Sequence, residues 1–132
     1  MSDLKQIAEA QPYARLLGVK IIEASAERVV GELEVRAEIC TSTGTLHGGA
    51  MMSFADVLGA TGAWFALPEG AKGTTTVDSN TSMMSSPAAG AVVTGVSTPI
   101  KNGRRLAIWQ TELTDQNGKK VAVVRQTQLV LT

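Results

Sequence analysis

The spacing of apolar residues changes three times along the chain, and each change marks a different kind of element. Residues 3–17 predict one or two short amphipathic helical turns, interrupted by Pro12 and ended by Gly18. From 19 to 37 the period falls to two, with "VKIIEAS" and "RVVGELEVR" flanking a polar corner at Ala26-Glu27. In the second run Leu33 and Val35 face one way and Glu32, Glu34 and Arg36 the other, the pattern of a half-buried strand. "CTSTGT", 40–45, is a polar loop. Residues 48–65 then read as a helix, roughly 27 Å long at 1.5 Å per residue. Its apolar residues run all the way round and it is rich in Gly and Ala, so burial on most sides and close backbone neighbours are expected. "LPEGAKG", 67–73, is the turn that ends it.

Four β-rich runs follow: "TTTVDSNTSMM", "AVVTGVSTPI", "RLAIWQTELTD" and "KVAVVRQTQLVLT". Lys101-Asn102-Gly103-Arg104 joins the second to the third, and Gln116-Asn117-Gly118-Lys119 the third to the fourth. Asn-Gly between alternating runs signals a hairpin whose two turn residues reach positive φ, so the C-terminal half is predicted to be an antiparallel meander. The sum is an α+β arrangement. One side of one sheet cannot bury a helix on all sides; either the sheet curls around it or a second copy covers it.

Composition narrows the classes. A chain of 132 residues holds one domain with one core. Lys plus Arg equals Asp plus Glu at 12 each, which argues against a nucleic-acid binder working by bulk charge. Zero net charge also leaves little self-repulsion against association. One cysteine, Cys40, permits no intrachain disulfide, and one His with one Cys cannot make a metal cluster, so no zinc is expected. The first residues carry charges with no apolar run behind them, which predicts no secretory signal. The most apolar segment, 48–66, contains Asp56 and Ser53 and much glycine, so no membrane partner is expected and a cytoplasmic protein is the default.

Within that segment Asp56 stands out. A carboxylate in an apolar helix is costly to leave charged. It reads either as an edge residue, exposed or paired with a structural arginine, or as a reacting group. His47-Gly48-Gly49 stands at the helix front, where free N–H groups and positive partial charge collect. Such amides can hold an oxyanion, and glycine lets a substrate approach; equally, a Gly pair can merely permit a tight turn into the helix. His47 reads as a cap or loop hydrogen-bonder, Thr76 as a β-favouring strand residue, and Lys101, Arg104 and Arg105 as a solvated basic hairpin. Cys40 reads as a small buried hydrophobe; the other reading is a nucleophile paired with His47, for which the sequence offers no activating triad. Met51, Met52, Phe54, Trp64, Met83 and Met84 suit an acyl pocket or plain core alike. There is no Rossmann or P-loop glycine pattern.

A strand pair followed by "GTLHGGAMMSFAD" opening a central helix, then "TTVDSNTSMMSSPA" and a hairpin with "NGRR", resembles the hotdog-fold acyl-CoA thioesterases. The similarity is greatest to the phenylacetate-degradation branch, which includes aryl-CoA thioesterases, and it spans about residues 15–132. The resemblance implies a curved antiparallel sheet wrapped around one long central helix, as a single domain over 1–132. It implies protomers joined sheet edge to sheet edge in a dimer, with dimers commonly paired into tetramers. It implies an acyl-CoA substrate, with coenzyme A as part of the substrate and no separate cofactor. Asp56 falls on the catalytic carboxylate, which attacks the thioester carbonyl or acts as general base on a water. The Gly48 amide falls on the oxyanion donor, with Gly49 beside it; His47 orients the loop or contacts the thioester. Thr76 matches a hydroxyl that helps hold water, and Lys101, Arg104 and Arg105 face the coenzyme A phosphates, to which an arginine fork is well suited.

Thr41 departs from the family, which often carries Asn or Gln six residues before the histidine; a hydroxyl cannot offer an amide's pair of groups. That keeps a second reading open, a hotdog protein that binds acyl-CoA or acyl-carrier thioesters without hydrolysing them. A hotdog hydratase needs an Asp–His pair at a spacing this chain does not have. Spacing also sets the assembly. Eight residues separate Gly48 from Asp56, about 12 Å along a helix axis, whereas one carbonyl carbon must lie within roughly 3–4 Å of both groups. Two antiparallel helices side by side meet that demand, so each site is expected to take Gly48 from one protomer and Asp56 from its partner.

Overall fold

The computed structural model describes residues 4–132. Asp3, where the predicted helical turns begin, lies outside them. Two short helices, α1 (Leu4–Glu9) and α2 (Pro12–Leu17), open the chain. Pro12 sits in the first turn of α2, where its missing N–H costs nothing. Gly18 ends α2 at φ 84°, a left-handed conformation in which its N–H caps the carbonyls of Ala14 and Arg15. Strands β1 (Lys20–Ala24) and β2 (Val29–Glu34) form the predicted strand pair. Then come a 3-10 turn at Ala37–Ile39, the long helix α3 (Gly48–Phe65), and strands β3 (Gly73–Met83), β4 (Val92–Asn102), β5 (Leu106–Thr114) and β6 (Lys120–Leu131).

All six strands form one antiparallel sheet in the order β1-β2-β4-β5-β6-β3. The predicted meander therefore holds for β4–β5–β6 but not for β3. That strand takes the far edge beside β6, from Gly73 opposite Leu131 to Met83 opposite Ala122, while β4 pairs with β2. Alternation tells a strand which face to bury but not which neighbour to take. The crossing from β3 to β4 runs over the front of the helix, and its backbone groups are satisfied there. Pro87 O accepts from Leu46 N–H, Gly44 O from Ala89 N–H, and Gly90 N–H donates to Val35 O.

The hairpins also differ from expectation, since among the described residues none other than glycine has positive φ. At β5–β6, Asp115 Oδ1 accepts from the N–H groups of Asn117 and Lys119, both at 2.9 Å, and Gly118 alone turns left-handed at φ 80°. That is a type I turn closed by a glycine bulge. At β4–β5 the tip is Arg104-Arg105, and Asn102 stays in the strand. Its Oδ1 accepts from Trp109 Nε1–H at 2.9 Å. That asparagine is there for its side chain.

Helix α3 packs against every strand of the sheet, so the sheet curls around it. Glycines on both sides make the close fit. Gly31 and Gly95 face each other across β2 and β4, and a Cβ on either would come within 2.7 and 2.5 Å of Leu58. On the helix, a Cβ at Gly59 would lie 2.2 Å from Gln126 and one at Gly62 2.3 Å from the Trp109 ring. At these positions the close neighbours expected of the small residues belong to the chain's own sheet. Trp109, Phe54, Leu33, Leu46, Met51, Leu58 and Leu113 are the large apolar members of the core. One stripe of α3 stays open: Gly49, Met52, Ser53, Asp56, Ala60 and Trp64 are exposed or half-buried, while the residues between them are buried. Among the described residues, no helix is long and apolar enough to cross a membrane.

Candidate active site

Asp56 sits in the middle of that open stripe. It has neither an arginine partner nor full exposure; among the described residues no ion pair reaches it. Instead its Oδ1 accepts two neutral hydrogen bonds, from Thr76 Oγ1 at 2.7 Å and from Gln126 Nε2 at 2.9 Å. Gln128 Nε2 donates to Thr76 Oγ1 at 2.5 Å. The hydroxyl accepts from Gln128, so its own proton points to the carboxylate. Asp56 Oδ2 has no hydrogen-bond partner among the described residues.

Strand register assembles this group. Thr76 of β3 lies directly opposite Gln128 of β6, and the pairing shifts just after it, between Thr76 and Asp78, as a bulge that leaves Val77 exposed. Gln126 and Gln128 are both fully buried and were not singled out in the sequence. The sequence carries only part of the signal, their alternation with valines, because which face of β6 turns inward is set by the fold. Val124, Gln126, Gln128 and Val130 alternate onto the buried face of β6, and two amides on an apolar face need partners.

At the front of α3, His47 is the N-cap, and its Nδ1 accepts from Gly49 N–H at 2.9 Å. This separates the two glycines. The Gly49 amide is committed to His47, whereas the Gly48 N–H, first of the helix, has no partner among the described residues. The Met83 side chain lies against Gly48, where a Cβ would come 2.8 Å from its sulfur.

The remaining residues lie apart. Thr41 is engaged in its own loop: its hydroxyl bonds those of Thr43 and Thr45 at 2.9 and 3.1 Å, and accepts from Thr43 N–H. Cys40 donates its S–H to Arg36 O and forms no pair with His47. Lys101, Arg104 and Arg105 are exposed. Arg104 and Arg105 line a cavity of about 340 Å³ with Glu69 and Ala71, beside the turn that follows α3, at the end of the helix opposite His47. Met51 and Phe54 are core, while Met52, Trp64, Met83 and Met84 are exposed. Within one chain, the free amide of Gly48 and the free oxygen of Asp56 stay two helical turns apart, since both belong to the same helix.

A curved sheet around a single long helix is the fold that the resemblance implies. Residues 43–122 match the model of the Thioesterase superfamily. The chain belongs to the thioesterase superfamily. Human acyl-coenzyme A thioesterase 13 is 31% identical over 127 residues, covering 95% of this chain and 89% of that one. The crystal structure of zebrafish thioesterase superfamily member 2 is 30% identical and superposes with a TM-score of 0.87 over 100% of both chains. The PaaI protein of the Escherichia coli phenylacetic acid degradation operon, at 20% identity, shares the fold, with a TM-score of 0.84 over 98% of this chain and 97% of that one. This hotdog thioesterase is thus an α+β protein and a thioester hydrolase by family.

Proposed function

We propose that this thioesterase hydrolyses acyl-CoA, giving a free acid and coenzyme A, at active sites shared between two protomers. The observation that carries the reading is Asp56: the one acid on an otherwise uncharged helix lies on the open stripe, with Oδ1 held by neutral donors and Oδ2 free. Two such helices laid antiparallel along their open stripes would bring Gly48 of one protomer beside Asp56 of its partner. The thioester oxygen then sits on the Gly48 N–H, which stabilises the negative charge as it develops. Oδ2 of Asp56 either takes the proton of a water that attacks the carbonyl carbon, and passes it to the thiolate as the C–S bond breaks, or attacks that carbon itself, expelling the thiolate and leaving a mixed anhydride that water then hydrolyses to the free acid. In that arrangement the Asp56 oxygen and the amide would both be in place before the substrate arrives, which lowers the ordering entropy lost in the reaction.

Three further features support the reading. Relatives such as the human protein are named for acyl-CoA hydrolysis. β3 is an exposed edge of 11 residues, and pairing it with the same strand of a second copy would continue the sheet and cover the edge, giving a dimer that can pair again into a tetramer. A cavity of about 480 Å³ lined by Tyr13, Leu16, Ile39, His47, Ala50 and Ser53 opens beside the helix front, with room for a short acyl or aryl group. Arg104 and Arg105, with Lys101, suit the phosphates of coenzyme A, and no cofactor beyond the substrate is needed.

Thiol release from a panel of acyl-CoAs tests the reading. The parent enzyme is expected to release thiol, and Asp56→Asn to lower kcat by about 100-fold or more. Equal rates in both would overturn it. The retention of Thr41 in its own loop favours one other reading, a thioester-binding protein without hydrolysis. Tight binding of acyl-CoA with no thiol release by the parent would establish that instead.

A further inference from the structure

We propose that Gln126 and Gln128 are positioning residues: with Thr76 they pin one oxygen of Asp56 and leave the other as the only reacting atom. The inference rests on the reading of Asp56 as the reacting carboxylate.

Both glutamines are completely buried on a face of β6 that they share with Val124 and Val130. Each spends its amide N–H on the site. Gln126 Nε2 donates directly to Asp56 Oδ1, and Gln128 Nε2 donates to the Thr76 hydroxyl. Each leaves its carbonyl oxygen buried with no protein partner. A buried acceptor without a partner costs stability, and a methionine or leucine would fill the same space without that cost. The fold therefore gives up stability at two adjacent inward positions, and what it obtains is two N–H groups aimed at Asp56 and Thr76. Helix α3 accommodates this: Gln126 lies so close to Gly59 that a Cβ there would stand 2.2 Å from its Oε1.

The direction of the bonds gives each residue a separate part. Gln128 offers Thr76 only donors, so the Thr76 oxygen accepts and its proton goes to Asp56. Gln128 thus acts only through Thr76, whereas Gln126 acts on Asp56 itself. A half-exposed carboxylate with no such partners rotates and presents either oxygen. Two donors converging on Oδ1 fix its plane and aim Oδ2 out of the open stripe.

The test is steady-state thiol release, with an acyl-CoA that the parent turns over, by Gln126→Met, Gln128→Met, Thr76→Val, Thr76→Ser and the Thr76→Val/Gln128→Met double variant, each also melted. Gln126→Met and Thr76→Val are expected to lower kcat about tenfold, the effect of losing one hydrogen bond to a charged group, and Gln128→Met about threefold, the effect of losing a neutral bond that orients the Thr76 hydroxyl. KM should stay within about twofold, since these residues do not touch substrate. The methionine variants should melt no lower than the parent, and Thr76→Ser should keep the parent rate. The double variant should be no slower than Thr76→Val alone, because Gln128 has no route except Thr76.

Parental kcat in either methionine variant would overturn the proposal. So would a fall in kcat that tracks a fall in Tm, which marks a merely structural role, or full additivity of the Gln128 and Thr76 effects. Should a methionine variant fail to fold, the leucine variant at the same position and the Thr76→Ser against Thr76→Val comparison still decide it. Asp56→Asn separates the two levels. Parental turnover in that variant removes the reading of Asp56 itself, whereas an inactive Asp56→Asn beside fully active glutamine variants removes only the positioning role.

Discussion

His47 shows how much one side chain settles. Its backbone is extended at the N-cap, and its Nδ1 takes the Gly49 N–H, so a neutral ring carries its proton on Nε2 and the Gly48 N–H is the one left unpaired among the described residues. Replacing it with alanine should cost about 0.5–2 kcal/mol in chemical denaturation through loss of the cap, and lower kcat by loosening the helix front. His47→Asn, which caps equally well, is expected to restore both; stability regained without turnover would show that the ring itself meets the thioester. Arg104 and Arg105 make a different claim. Their double alanine variant should raise KM for acyl-CoA and flatten its dependence on salt, with kcat unchanged, because exposed charges act through screened attraction to phosphate. At this scale the sequence was legible where a residue broke its surroundings. Asp56 interrupts an apolar helix and Gly48 follows a histidine cap. Gln126 and Gln128 were not, because an amide in a strand reads as an outward polar residue until its face is known.

Helix α3 is defined by what it lacks. Gly62 admits the Trp109 ring and Gly59 admits Gln126. Alanine at either position raises intrinsic helix stability by roughly 0.5–1 kcal/mol but forces a Cβ into its neighbour, at a cost of about 1–3 kcal/mol. The two substitutions should part company in function. Gly62→Ala presses on a core ring and is expected to lower Tm with little change in kcat per folded enzyme. Gly59→Ala pushes the Gln126 amide away from Asp56 and should lower kcat as well. Equal kcat in both variants, measured beside their melting curves, would disconnect Gly59 from the site. The helix itself, the strand pair and β4–β5–β6 could all be read from periodicity. The pairing of β3 with β6 could not, nor could the hairpin geometry, where Asp115 and Gly118 make one turn and Asn102 serves Trp109 instead of the other.

At the scale of the whole molecule, one question dominates: whether the two halves of a site come from one chain. Gly48→Pro removes the amide proton at the first helical position, where proline is well tolerated. Asp56→Asn removes the carboxylate. Each variant alone should be inactive. Mixing them under conditions that exchange subunits forms dimers in which one of two sites has both parental groups, and recovery of about a quarter of the parent rate is expected from random pairing. A mixture that stays inactive while subunit exchange is demonstrated would return both groups to a single chain.

The sequence by itself determined the elements, the buried helix with its single acid, and the chemistry of a helix-front amide, because each depends on local periodicity or on a few neighbouring residues. Tertiary structure alone decided which strand lies beside which, and with it that Thr76 stands opposite Gln128 and that both glutamines turn inward to Asp56. Those contacts join residues 20 to 70 positions apart, and hydrogen bonds between such distant groups exist only once the sheet has closed around the helix.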